Sequence, residues 1–241
     1  MITNRDRILI VAAHPDDEVL GCGGTIRTIT DKFVLGSAPP PVISALILSE
    51  GLTSRESDTV KFNKKDTDAV RQDSLDAAKI LGIQNSYFED LPNNRLDSMD
   101  LLDVIKIAEK YILELQPTIV FTHHYGDINI AHRMTYQAVL TACRPLQNCP
   151  VEKLLSFEIA SSTEWNFPTH TNAFSPNVYV EIGDAVETKI QAMQAYRSER
   201  RTLPHPRSPE AIRAIALRWG SVANLGYTEA FELIYERNKL I

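Results

Sequence analysis

Arg7-Ile8-Leu9-Ile10-Val11-Ala12 is an unbroken apolar run that passes directly into Ala13-His14-Pro15-Asp16-Asp17-Glu18. A run without polar alternation suits a strand buried on both faces, the habit of parallel sheets. The polar residues that end it then stand beyond the carboxyl end of a strand, where open α/β sheets build their ligand sites. Working outward, Val42–Leu48 (VISALIL) and Thr118–Thr122 (TIVFT) are further runs of the same kind, with Ser86–Phe88 a shorter one. Segments of helical period separate them. Asp66–Leu81 carries Ala69, Val70, Leu75, Ala78 and Leu81 and stops at Gly82, while Leu101–Leu115 follows Asp100 and ends before Pro117. His132–Cys143 is expected to be helical, and Gly21–Gly24 reads as a turn opening a helix over Thr25–Lys32. Strand and helix alternating at this spacing predict βαβ units with right-handed crossovers.

The rhythm loosens after Val151. Lys153–Ile159 and Asn177–Ile182 read as strands, Asp184–Tyr196 as a helix, and Ser208–Trp219 as a helix with Pro209 at its first position. Glu229–Tyr235 fits a strand or a helix equally well by period. Thr53–Lys65 is polar and unpatterned, which suits a loop. No repeat or linker divides the 241 residues, so one α/β domain over 1–241 is expected, its mostly parallel central sheet flanked by helices.

Composition narrows the function classes. With 44% hydrophobic and 23% charged residues the chain is of ordinary globular make-up, and its net charge of −6 argues against nucleic acid as a partner. Cys22, Cys143 and Cys149 are three cysteines in no zinc-knuckle spacing, so a disulfide framework is not expected. The first apolar run is broken by charge too soon for a signal peptide, and no stretch approaches a transmembrane length. A cytoplasmic protein with no membrane partner is expected.

One histidine and three carboxylates fall between His14 and Glu18, and Thr118–Thr122 opens into His123-His124-Tyr125-Gly126-Asp127-Ile128-Asn129-Ile130-Ala131-His132. If the two strands are neighbours, both loops emerge on one rim and can share a metal. Two histidines and one aspartate suit a catalytic zinc with an open water position, and equally a non-haem Fe(II) centre. Acidic residues alone would also suit a helix N-terminus.

AHPDDE after an apolar first strand, then GCGGT, THHYGDINIAH, VEIGDAVETKIQAMQAYRSE, PHPRS and GYTEAFELI, resemble the LmbE-like (PIG-L) family of zinc-dependent N-acetylglucosaminyl deacetylases over nearly the whole chain. The resemblance implies a Rossmann-like single domain and one Zn2+ per chain (Fe2+ being open) on His14, Asp17 and His132, with Asp16 as general base. It implies hydrolysis of the acetamide of a small N-acetylated amino sugar or its conjugate, and the sequence leaves a homo-oligomer open. Many members carry His-Pro-Asp-His where this chain has Asn129-Ile130-Ala131-His132, so the histidine–aspartate pair that serves oxyanion or amine is missing. Asn129 is then the candidate hydrogen-bond donor to the oxyanion, and His205 in Pro204-His205-Pro206-Arg207 the candidate substitute acid. The departure also leaves open a metal- or nucleotide-binding module without turnover.

Arg55, His123, His124 and Tyr125 are candidate substrate contacts, and Trp165 with Tyr125 a candidate sugar-stacking wall. Gly21, Gly23 and Gly24 lack a dinucleotide fingerprint and suit close backbone passage. Glu199, Arg200 and Arg201 read as a solvated helix end.

Overall fold

The computed structural model describes residues 2–36, 38–52, 63–167 and 169–237. The opening run is strand β1 (Arg7–Ala12), followed by α1 (Asp17–Leu35), β2 (Val42–Ser49), α2 (Lys64–Leu81), β3 (Asn85–Leu91), α3 (Leu101–Leu115), β4 (Ile119–His123) and α4 (Ile130–Ala142). Then come β5 (Lys153–Phe157), β6 (Val178–Glu181), α5 (Ala185–Ala195), α6 (Pro209–Ala223) and β7 (Thr228–Glu236). The strands form one seven-stranded sheet in the order β3-β2-β1-β4-β5-β7-β6. The first five in sequence are parallel, and β7 runs antiparallel to both β5 and β6.

Because side chains alternate across a strand, β1 feeds two cores. Ile8 and Ile10 face a cluster with α1, α2 and α5, whereas Leu9 and Val11 face one with α3 and α4. Both layers being apolar, the strand shows no polar period, which is why its sequence reads as a continuous run. Chain order reverses between β1 and β4, which pair in register at Ile8 and Ile119. Their carboxyl-end loops therefore leave the sheet side by side, at the switch point where such folds hold ligands.

Two expectations are corrected. Gly21–Gly24 is not a turn: α1 begins at Asp17 and carries these glycines inside it. A Cβ on Gly21 would meet the ring of Phe157 at 2.5 Å, and one on Gly24 the side chain of Ile182 at 2.6 Å. The glycines let the helix lie close on its neighbours. Of the expected loop Thr53–Lys65, residues 53–62 lie outside the described residues, and Lys64 and Lys65 belong to α2, whose start is fixed by a capping box of Asn63 and Asp66. The ambiguous Glu229–Tyr235 lies within β7. Among the described residues no helix is long and apolar enough to cross a membrane.

Candidate metal centre

The turn after β1 places Asp16 at the N-cap of α1 and Asp17 in its first turn, with the His14 N–H donating to Asp17 Oδ2 at 2.8 Å. From the neighbouring β4, the chain returns through Asp127 and Asn129 to α4. Asn129 Oδ1 caps that helix by accepting from the Ala131 N–H at 2.8 Å. His132 lies one residue further on, so the cap fixes where its ring points.

Three ligand atoms converge between these loops. His14 Nδ1 lies 3.2 Å from Asp17 Oδ2 and 3.1 Å from His132 Nε2, and His132 Nε2 lies 3.3 Å from Asp17 Oδ2. A tetrahedral ion holding N and O ligands at about 2.0–2.2 Å sets those ligands roughly 3.3–3.6 Å apart, and each edge of the triangle comes within about 0.2 Å of that range. The triangle fits such an ion. Two further buried atoms here, His14 Nε2 and Asp17 Oδ1, have no hydrogen-bond partner among the described residues, whereas buried polar atoms are as a rule satisfied.

Behind His132 stands Asp127, fully buried, with Oδ2 at 3.2 Å from His132 Nδ1. Its two oxygens also accept from Ser162 Oγ at 2.5 Å and Thr163 Oγ1 at 2.7 Å. A carboxylate on the outer imidazole nitrogen fixes the tautomer that leaves Nε2 free for a metal. Burial works against charge on Asp127, but His132 and the two hydroxyl bonds outweigh it and hold the carboxyl down at about 2. Burial likewise disfavours the Asp17 carboxylate, yet the charge of His132 and the hydrogen bonds from His132 and His14 hold it well below the usual range. His132 is pushed down by burial and pulled up more strongly by Asp17 and Asp127, to about 10.

Asp16, 2% exposed, is pushed well above the ordinary carboxyl range by burial, against the pull of Arg207 and with the repulsion of Asp17. It shares a cavity of about 120 Å³ with His14, His132, Asn129, Ser161 and Arg207. The wall is largely amide, hydroxyl and charge, suited to a polar ligand.

The other expected site residues lie elsewhere. His123 and His124 are fully buried and do not line the cavity. His123 Nε2 accepts from the Ala13 N–H at 2.9 Å, and its ring stacks on His132 at 4.0 Å. Burial first, then the charge of His132, push it down to about 3, so it packs as a neutral ring. His124 lies between Glu232 (Nδ1 to Oε2, 2.8 Å) and the Asn172 carbonyl. Tyr125 donates its hydroxyl to the Thr171 carbonyl, and neither it nor Trp165 lines the cavity. His205 is also outside the cavity wall; its Nδ1 accepts from the Arg207 N–H, and its ring stands against Trp165. Arg55 lies outside the described residues. Cys22 is buried in the core beneath α1.

Sequence reading missed Arg207, Glu199 and Asp127. Arg207 Nη1 reaches Asp16 Oδ2 at 2.5 Å and Glu199 Oε2 at 3.1 Å. Glu199 is therefore no solvated helix end but 5% exposed, held by Arg207 and Arg201. Asp127 carried a usable signal, lying five residues before His132 on the stretch that leads from β4 into α4. Arg207 carried none that spacing reveals, since its partner is 191 positions away.

Fold and site together define an α/β protein with a two-histidine, one-aspartate cluster at the switch point of a parallel sheet. Residues 9–143 match the PIG-L family, GlcNAc-PI de-N-acetylase, and the chain belongs to that family. It is 26% identical over 198 residues to the probable N-acetyl-alpha-D-glucosaminyl L-malate deacetylase 2 of Bacillus cereus, covering 80% of this chain and 83% of that one. The fold is shared with the N,N'-diacetylchitobiose deacetylase of Pyrococcus horikoshii, with TM-score 0.72 at 20% identity over 95% of this chain and 84% of the other. It is also shared with the 4-carboxy-2-hydroxymuconate hydratase GalB of Pseudomonas putida, with TM-score 0.70 at 20% identity over 98% and 99% of the two chains.

Proposed function

We propose that this chain is a metal-dependent N-deacetylase that hydrolyses the acetamide of an N-acetylated amino sugar or its conjugate. The observation that carries the reading is a three-ligand cluster, with its atoms all within 4.8 Å of one another, beside a second carboxylate that is not part of it. A site for binding alone has no evident need of that second carboxylate. Zn2+ held by His14, Asp17 and His132 would supply a water of lowered pKa and a Lewis acid for the carbonyl.

This chain's own residues supply the rest. Asp16 takes the water's proton, a task matched to a carboxyl raised above its ordinary range. It then carries that proton to the departing nitrogen, since an amine leaves only once protonated. Asn129 uses its Oδ1 for the helix cap, which leaves its amide N–H groups for the developing oxyanion. His205 stands outside the cavity, which favours Asp16 as the sole shuttle. The sugar part of the reading is supported by the names of the relatives and by the polar wall.

The test is release of acetate and free amine from a panel of N-acetyl sugars, their malate and nucleotide conjugates, and N-acetylated oligosaccharides. Release that stops on chelation and returns with zinc is expected. Metal-loaded protein that deacetylates no member of the panel would overturn the reading, and substrate-dependent consumption of O2 would assign the cluster to Fe2+ chemistry instead.

A further inference from the structure

An aspartate at a helix N-cap ordinarily turns its carboxylate onto the free N–H groups of its own helix. Asp16 occupies that position on α1 and makes no side-chain capping bond; its backbone is held at φ 103° and ψ −22°. A left-handed conformation in a non-glycine residue costs free energy and persists only where the surroundings impose it. What the carboxylate meets instead is Arg207. The guanidinium gives Nη1 to Asp16 Oδ2 at 2.5 Å and to Glu199 Oε2 at 3.1 Å, and its Nε donates to Ser161 Oγ at 2.8 Å.

One side chain thus ties the turn after β1 to the chain after β5 and the chain after α5. Its planar fork fixes the directions of all three acceptors, which the single point charge of a lysine does not. The geometry points to Arg207 as a positioning residue: it keeps the Asp16 carboxylate off its own helix and in the wall of the cavity that holds His14 and His132. Glu199 is the second anchor, accepting from the same Nη1 that Asp16 uses, while Ser161 accepts from Nε. The kinetic consequence rests on the deacetylase reading; the placement of Asp16 does not.

The experiment therefore has two readouts on Arg207→Ala and Arg207→Lys. The first is the orientation of the Asp16 side chain in crystal structures of wild type and variants. The second is kcat and KM for acetate release, with metal content measured alongside. In Arg207→Ala the Asp16 carboxylate is expected to leave its wild-type position, with kcat down about 100-fold, the lower end of what general-base catalysis contributes. KM should change less than about threefold and metal content not at all, a split that loss of fold would not produce. Arg207→Lys restores the charge without the fork and should recover only part of kcat.

An Asp16 carboxylate that stays in place in Arg207→Ala, or a kcat within about twofold of wild type, overturns the proposal. If the wild type itself releases no acetate, the deacetylase reading fails, and the position of Asp16 in the variant decides the positioning role alone. Should Arg207→Ala not fold, the same crystallographic comparison on Arg207→Lys decides it, a displaced carboxylate supporting the role and an undisturbed one contradicting it.

Discussion

At His132 the nitrogen that faces the cluster is set by the one that does not. Asp127 holds Nδ1 at 3.2 Å, while its oxygens also accept from Ser162, Thr163 and the Asn129 N–H. Asp127→Asn should keep the fold and weaken metal binding about 10- to 100-fold, the usual cost of losing such a partner; competition with a chromophoric chelator measures it. An unchanged affinity would mean that α4 alone aims the ring. Asp16→Asn separates the two carboxylates: metal content should stay at the wild-type level while kcat falls about 10²- to 10⁴-fold. Full activity in that variant would remove Asp16 from the chemistry. His205→Ala should be mild, because its ring lies outside the cavity wall; loss of turnover with metal retained would return it to the role of acid. His14, Asp16 and Asp17 were legible because they adjoin the strand that ends in them. Asn129 and His132 needed the family's motif, and Arg207 was hidden by chain separation.

Between elements, two contacts bear weight on how the site is held. Helix α1 crosses β5 so closely that a Cβ on Gly21 would sit 2.5 Å from the Phe157 ring. Gly21→Ala gains about 1 kcal/mol of helix propensity but must displace a fully buried phenylalanine, an overpacking worth about 1–3 kcal/mol. A lowered Tm by calorimetry is expected; a raised one would show that the ring yields freely. The second contact is His124 with Glu232, which joins the end of β4 to β7 and, through Ser156, to β5. Burial pushes His124 below its ordinary 6.5, but the Glu232 bond more than reverses this. Burial raises Glu232, and the bonds from His124 and Ser175 more than offset it, leaving it below its ordinary 4.5.

The stability from that pair is fully present between pH 4.5 and 6.5. It fades on the alkaline side as pH rises through the raised His124 value, and on the acid side as pH falls through the lowered Glu232 value. Glu232→Gln should cost about 1.5–3 kcal/mol within that window, the worth of a charged hydrogen bond, and less at pH 9. Urea melts at both pH values check it; an equal loss at both would assign the contact to packing. These elements also mark where sequence reading stops. The period of β7 is ambiguous because Thr228–Phe231 are all buried, the polar Thr228 and Glu229 among them, so polarity does not mark the exposed face. The glycines of α1 mimic a turn because close helix packing and tight turns both ask for a missing side chain.

Over the whole molecule, a mostly parallel sheet was readable from the alternation of apolar strands and helices, whereas the order β3-β2-β1-β4-β5 was not: the neighbouring of β1 and β4 entered the sequence reading only as a condition. Nor was the antiparallel β7 between β5 and β6, since it joins the sheet by pairing over long chain separations rather than by local period. The fold alone leaves the reaction open, as its likeness to both a deacetylase and a hydratase shows. The deacetylase proposal rests on the cluster of His14, Asp17 and His132 beside Asp16 together with the named relatives. The most direct measurement is a metal titration of chelator-treated protein, following acetate release from N-acetylglucosamine conjugates against zinc bound. Acetate release should start from zero, rise in proportion to bound zinc and level off at about one ion per chain, as expected of a single three-ligand site, with His132→Ala flat throughout. Release that persists in the metal-free protein, or zinc bound to the wild type with no turnover at any loading, would contradict the account.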